Sequence, residues 1–226
     1  MADARDAQQL LPFRGYLSPG ISFASGHSIW FFKLDENPTR VGPYSEIWMV
    51  TPDGRRILYG DPGAAAEVTV TQHEYDEVHA CTLSWEWPER SRLHVRMRAD
   101  DGTEFELDAK LVQTPATRFL NAFLKLAPKS LMVTQPMTHV AKAAVNLLLR
   151  LGVNVAGATE TGKRFANQAD RILLVRDARA SLDGRDLGPV AVPPPRPVAW
   201  GDVKQAARPF FCFGALYLQV DPSFRA

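Results

Sequence analysis

The chain has little cysteine: Cys81 and Cys212 are the only two among 226 residues. Two thiols cannot build the disulfide framework of a small secreted domain, and neither sits in a CxxC or Cys/His cluster with zinc spacing. Both are therefore expected to be reduced, in a cytoplasmic protein. Charge imbalance is missing as well. Lys plus Arg number 26 against 25 Asp plus Glu, and a net charge of +1 supplies no general field for nucleic acid. Long apolar runs are absent too: the longest stretch, 143–158, is broken by Asn146, Arg150 and Asn154, short of the roughly 20 residues that cross a bilayer. No transmembrane segment is expected. Residues 1–9 carry Asp3, Arg5 and Asp6 with no apolar stretch after them, which points away from a secretory leader. No repeat of fixed period, serine elbow or His/Asp triad spacing is present.

What is present is an ordinary globular composition, 46% hydrophobic and 23% charged, long enough for one large β-rich domain. From residue 21 to 113, short aromatic and β-branched runs alternate with Asp-Gly punctuation, predicting antiparallel strands at 27–34, 44–51, 55–60, 68–72, 78–87, 93–99 and 103–112. In the clearest hairpin Leu93, Val95 and Met97 alternate with His94, Arg96 and Arg98, and Phe105 and Leu107 with Glu104, Glu106 and Asp108. A loop at Asp100-Asp101-Gly102 sets Arg98, Arg96 and His94 opposite Glu104, Glu106 and Asp108, a charge ladder read as a solvated sheet face. A second hairpin turns at Pro52-Asp53-Gly54, matching Met49 with Ile57 and Ile47 with Tyr59, with Tyr44, Glu46, Trp48 and Leu58 on the other face.

The period changes after residue 114. Apolar residues at helical spacing predict two helices, 118–127 and 138–151, separated by an irregular 128–136 stretch. Strands at 171–175, 178–182 and 210–220 follow, with an Asp183-Gly184 turn and an extended proline-rich connection at 193–197. The expected organisation is a single domain over 1–226: an N-terminal arm (1–20), a first strand block (21–113), a helical insertion (114–157) and closing strands (158–226). The fold class is mainly β, an antiparallel barrel or sandwich with a two-helix insertion near 116–152.

Gly157 to Lys163 spells GxxxxGK, but Arg164 stands where a P-loop needs Ser or Thr, and antiparallel strands are the wrong context. It is read as a glycine-punctuated loop returning to the sheet. On the 78–87 strand, alternation puts His79, Cys81, Leu83, Trp85 and Trp87 on one face, so His79 becomes a candidate acid or base and Cys81 a pocket residue; a buried cysteine beside a hydrogen-bonded histidine is the plain alternative. Glu46, between Tyr44 and Trp48, is a carboxyl group that desolvation can keep protonated, unless Arg56 on the same face simply pairs with it. His27, opening the strand of Trp30, Phe31 and Phe32, is a third catalytic candidate. His73, Asp76, Glu77 and His79 show no metal-ligand spacing, and neither metal nor cofactor is expected.

Nine large rings, Trp30, Phe32, Trp48, Tyr59, Trp85, Trp87, Phe211, Phe213 and Tyr217, fall on predicted strands. They make a core, or they line an apolar pocket inside a closed sheet. The segment from Gly42 to Trp48, the turns from Thr51 to Arg55 and from Asp100 to Thr103, and the late run from Leu182 to Gly188 resemble the lipocalin-like (calycin) class of β-barrels, more loosely the bacterial carotenoid hydratase (hydroxyneurosporene synthase) type. The resemblance implies binding of a terpenoid, polyketide or lipid-like molecule, with cofactor-independent hydration, cyclisation or isomerisation as accompanying chemistry. The resemblance supplies no catalytic signature; from the strand pattern, Glu46, His79 and His27 are the candidate catalytic residues, and Trp30, Phe32, Tyr44, Trp48, Tyr59, Cys81, Trp85, Trp87, Phe213 and Tyr217 the candidate ligand-binding ones. A carrier without chemistry, and a module whose helices meet a partner or membrane surface through Phe119, Phe123, Leu147 and Leu148, are the alternatives; pairing into a homodimer stays open.

Overall fold

In the computed structural model, residues 9–126, 134–194 and 199–225 are described. The strands are β1 (Leu10–Ser22), β2 (Ser28–Glu36), β3 (Tyr44–Val50), β4 (Arg56–Gly60), β5 (Glu77–Glu89), β6 (Arg92–Ala99), β7 (Glu104–Val112), β8 (Ala156–Ala158), β9 (Arg164–Leu182), β10 (Arg185–Asp186), β11 (Ala199–Trp200), β12 (Val203–Lys204) and β13 (Phe210–Gln219). The helices are α1 (Ala64–Thr71), α2 (Pro115–Leu126) and α3 (Gln135–Leu149). The fold is mainly β. β1 to β7 pair in sequence order, β13 joins β1 to β9, and β9 returns to β7, so the sheet closes into a barrel.

The two hairpins form in the register the alternation predicts: Arg98 faces Glu104, Arg96 faces Glu106, His94 faces Asp108, Met49 faces Ile57 and Ile47 faces Tyr59. The ladder carries ion pairs, Arg98–Glu104 at 2.8 Å and Arg92–Asp108 at 2.5 Å. Asp183 and Gly184, both at positive φ (50° and 73°), make the tight turn that folds β10 onto β9. The GxxxxGK motif is the β8–β9 hairpin turn, closed by the Thr159 N–H donating to the Lys163 carbonyl at 2.8 Å.

Three expectations change. Residues 68–72, read as a strand, are the second half of α1 and its C-cap Gln72, because β4 and β5 pair in parallel and such neighbours need a crossover rather than a hairpin. The buried Ala64, Glu67, Val68 and Thr71 follow the helical period, and packing against the barrel overrides the strand preference of Val and Thr. The N-terminal arm, from Leu10 onward, is a barrel strand, β1, held by ladders on both edges. The two late strands are one, since β9 runs from β13 at one end to β7 at the other. Of the proline-rich stretch, Pro193 and Pro194 have no regular structure and 195–197 lie outside the described residues, as does most of the 128–136 stretch.

Apolar residues sort into three groups by strand parity. Inward-facing Tyr16, Phe31, Phe105, Phe211 and Trp85 fill the barrel: Phe31 lies 6.0 Å from Phe105, 6.1 Å from Phe211 and 6.3 Å from Trp85, ring centre to ring centre. Outward-facing Trp30, Phe32, Tyr44, Trp48 and Leu58 pack under α1, Trp200 and the C-terminal residues. A third cluster joins Leu120 and Leu124 of α2 and Val145 and Leu149 of α3 to Ile172, Leu174, Phe210 and Cys212 of β9 and β13. The helices therefore pack outside the barrel wall.

Two wall strands bend at glycines. Gly15 and Gly214 face each other across β1 and β13, each beside a register shift, and a Cβ added to either would lie 1.9 Å from the Lys33 carbonyl oxygen or 2.1 Å from that of Gln168.

Candidate functional site

An apolar cavity of about 90 Å³ lies between the outer barrel wall and the helices. Leu17, Phe32, Trp48, Ile172 and Cys212 of the wall form its floor, and Leu124 of α2 with Ala141 and Val145 of α3 its roof. One end is polar, made by Gln72 and His73 just after α1 and by Thr159 of the β8–β9 turn. Larger hollows of about 270 and 340 Å³ lie over the charge ladder, lined by side chains such as Arg92, Asp108 and Arg179; they read as solvated surface.

The helices take their places through capping and one clamp. Thr114 accepts from the Thr117 N–H at 3.2 Å while the Thr117 hydroxyl donates back to the Thr114 carbonyl at 2.9 Å, starting α2 at Pro115. Buried Asn121 of α2 then donates to the Ile172 carbonyl at 3.0 Å and accepts from the Ile172 N–H at 2.8 Å. α3 begins behind Thr134 with Pro136 in its first turn and ends at Arg150, which adopts a left-handed conformation at φ 56°.

His73 is fully buried, its ring 4.8 Å from Trp48 and 5.5 Å from Trp200, both edge-on. Neither ring nitrogen has a hydrogen-bond partner among the described residues. Burial, reinforced by the Arg56 guanidinium, pushes its pKa down to about 3. The imidazole is therefore neutral, and the 3.6 Å approach of Glu160 to Nδ1 is no ion pair; Glu160 is engaged by Arg56 at 2.7 Å, which also covers the Trp200 ring at 4.6 Å. Compared with known protein families, curated sequences and solved structures, the chain matches none.

Behind Trp48 lies Glu46, buried on β3 between Phe32 and Gly60 and bordering, but not lining, the cavity. Among the described residues, neither of its carboxyl oxygens is in a hydrogen bond of good geometry. Burial pushes its pKa up to about 8, opposed by the Trp48 indole and reinforced by Glu67 and Asp61. Arg56 turns to Glu160 and Trp200. Glu67, on the buried face of α1, accepts from the Thr39 hydroxyl at 2.7 Å and from Asn37 at 3.4 Å, and burial raises its pKa. Burial likewise holds the Tyr44 and Tyr75 hydroxyls well above their ordinary range.

The structure separates the other sequence candidates. His79 points to the barrel side, stacked on Tyr59 at 5.6 Å, with Asp100 3.4 Å from Nδ1 and Asp101 3.5 Å from Nε2. These three are the one His/Cys/Asp/Glu group among the described residues close enough to hold a cation, within 4.8 Å of one another; an imidazole bracketed by exposed carboxylates accounts for them without one. His27 sits in the β1–β2 turn beside the Ser25 hydroxyl at 3.0 Å, its pKa lowered by burial. Cys81 is inside the barrel, its thiol pushed up to about 12 by burial. Tyr59, Trp85, Trp87 and Phe213 also belong to the barrel interior, whereas Trp30 and Tyr44 pack on the outer wall and Tyr217 is half-buried on β13. Of the ten expected ligand-binding residues, only Phe32 and Trp48 line the cavity. His73 and Gln72 were not among them, because a window read as a strand hides the helix that delivers them.

Proposed function

We propose that the protein binds a small, mostly apolar molecule carrying one polar group, held between the barrel wall and helices α2 and α3 with its polar end at His73. The observation behind this reading is a neutral, fully buried imidazole with no hydrogen-bond partner among the described residues, on the rim of an apolar cavity. A neutral histidine offers one donor and one acceptor, and leaving a buried polar group unmet costs about 1–3 kcal/mol. A ligand hydroxyl or carbonyl would recover that cost. A cavity of about 90 Å³ takes a compact molecule or the end of a longer one, so a terpenoid, polyketide or lipid-like ligand would enter by one end. The lipocalin-like resemblance supports the ligand class, and two buried free thiols are in keeping with a reducing, cytoplasmic setting.

The test is organic extraction and native mass spectrometry of the purified protein, followed by titration with N-phenyl-1-naphthylamine, an apolar fluorescent probe. Wild type should carry or take up one apolar molecule, and Ala141→Trp, which fills the cavity from α3, should not. Equal uptake by the two proteins sinks the proposal.

A second reading adds chemistry. Glu46 is buried beside the Trp48 indole and held up to about 8, so at neutral pH it is a proton donor for a carbon–carbon double bond reaching past Trp48. Glu46→Gln should then abolish turnover while probe binding persists.

A further inference from the structure

The two helices turn an apolar stripe to solvent. On α2, Phe119, Phe123 and Leu126 recur at i, i+4 and i+7, opposite the buried Thr117, Leu120, Asn121 and Leu124; on α3, Val140, Leu147 and Leu148 are exposed. Phe119 is 69% exposed, Leu126 85% and Leu147 80%. Six of the nine large apolar side chains exposed among the described residues lie on these helices, so the pattern is a patch rather than scattered surface. The accompanying charge has one sign. Arg118 and Lys125 on α2, Lys142 on α3 and Arg150 at its end are all exposed, and neither helix contains an Asp or Glu, although the whole chain is nearly neutral.

From this we infer that α2 and α3 dock on an anionic lipid bilayer, with Phe119, Phe123, Leu126 and Leu147 entering the headgroup boundary and the cations meeting lipid phosphates. A cationic helix face carrying large apolar side chains is the composition of an interfacial membrane element. Each Lys or Arg near such a surface contributes about 1 kcal/mol of attraction, and the cytoplasmic leaflet is the anionic one. A second copy of the chain is a poorer occupant, because two-fold packing of this face brings cations against cations with no acid between them. The helices are too short to cross a bilayer, so the contact stays at the surface. The inference does not depend on the cavity holding a ligand. If both hold, the helices roofing the cavity lie on the phase where apolar molecules dissolve.

The experiment is co-sedimentation of the full chain with vesicles of phosphatidylcholine alone or mixed with phosphatidylglycerol. Binding should need the anionic lipid and weaken as salt rises. Lys125→Glu with Lys142→Glu should weaken it at least about tenfold, and Phe119→Ser with Leu147→Ser should abolish it. All four side chains are exposed, and circular dichroism checks that the variants fold. No sedimentation with anionic vesicles, equal binding to both vesicle types, or binding that survives the Phe119/Leu147 change would overturn the inference. So would a concentration-dependent dimer, lost in Phe119→Ser, in place of vesicle binding. Probe uptake by Ala141→Trp, read separately, distinguishes failure of the cavity reading from failure of this one.

Discussion

Asn121 meets the backbone of Ile172 twice, donating to its carbonyl at 3.0 Å and accepting from its N–H at 2.8 Å. The pairing stands in for a missing strand. Along this edge of β9, β8 covers residues 164–166 and β7 covers 174–182, leaving Ile172 between the two ladders. A side-chain amide reproduces the donor and acceptor of a backbone, so α2 is fastened to the barrel at the point where the wall is open.

Replacing Asn121 by Leu leaves both groups of Ile172 buried without partners. The expected cost is about 2–4 kcal/mol, measured by urea denaturation, with α2 releasing first in amide hydrogen exchange. A loss under about 1 kcal/mol would mean that water substitutes for the amide.

His73 binds a proton less readily folded (about 3) than unfolded (6.5), so between those values the unfolded chain holds the extra proton. Its contribution is present above pH 6.5 and is lost as pH falls towards 3, on the order of 5 kcal/mol in full. Stability of wild type should fall below pH 6.5 with a slope steeper by one proton than that of His73→Phe. Identical slopes would show that the imidazole is charged or hydrated in the native state.

Glu46 has the opposite sign. Its folded value near 8 lies above the unfolded 4.5, so the native state holds the proton through that window, and the associated stability, present below pH 4.5, is lost as pH rises through 8. Glu46→Gln, which cannot ionise, should gain on wild type across that range by an amount on the order of 5 kcal/mol. Between pH 4.5 and 6.5 the two residues cancel, giving wild type a stability plateau that each single variant tilts in its own direction.

Gly15 and Gly214 mark the bends of adjacent wall strands. Alanine at Gly214 would set a methyl 2.1 Å from the Gln168 carbonyl oxygen. Destabilisation above about 2 kcal/mol is expected, whereas alanine at Gly60, where an added carbon meets nothing within 4 Å, serves as the near-neutral comparison by thermal denaturation.

Hairpins were the legible part of this fold. Alternation along 93–112 and around Pro52-Asp53-Gly54 gives the register directly, because one buried face leaves no freedom to slip. Alternation does not say which face of a strand turns into the barrel. Tyr44, Glu46 and Trp48 share parity, yet that parity is the outer wall, made dry by α1 and Trp200 from distant parts of the chain. Glu46 was readable as a desolvated carboxyl because its flanking rings are local. His73 was not, since its burial comes from Trp48 and Trp200, 25 and 127 residues away in sequence. One signal was available: the helical spacing of Ala64, Glu67, Val68 and Thr71, masked by β-branched residues in a short segment.

Counting strands around the barrel gives nine: β1 to β7, β9 and β13. Directions that alternate around a closed circle return to their start only when the number is even. An odd circle must contain a neighbouring pair running the same way, and here it is β4 with β5. That pair demands a connection across the outside of the wall, and the connection is α1, whose Glu67 and Val68 seal the surface beside Glu46 and whose end presents His73. The hidden carboxyl and the unmet imidazole are thus by-products of arithmetic, and a relative built on eight or ten strands would have no geometric reason to possess either.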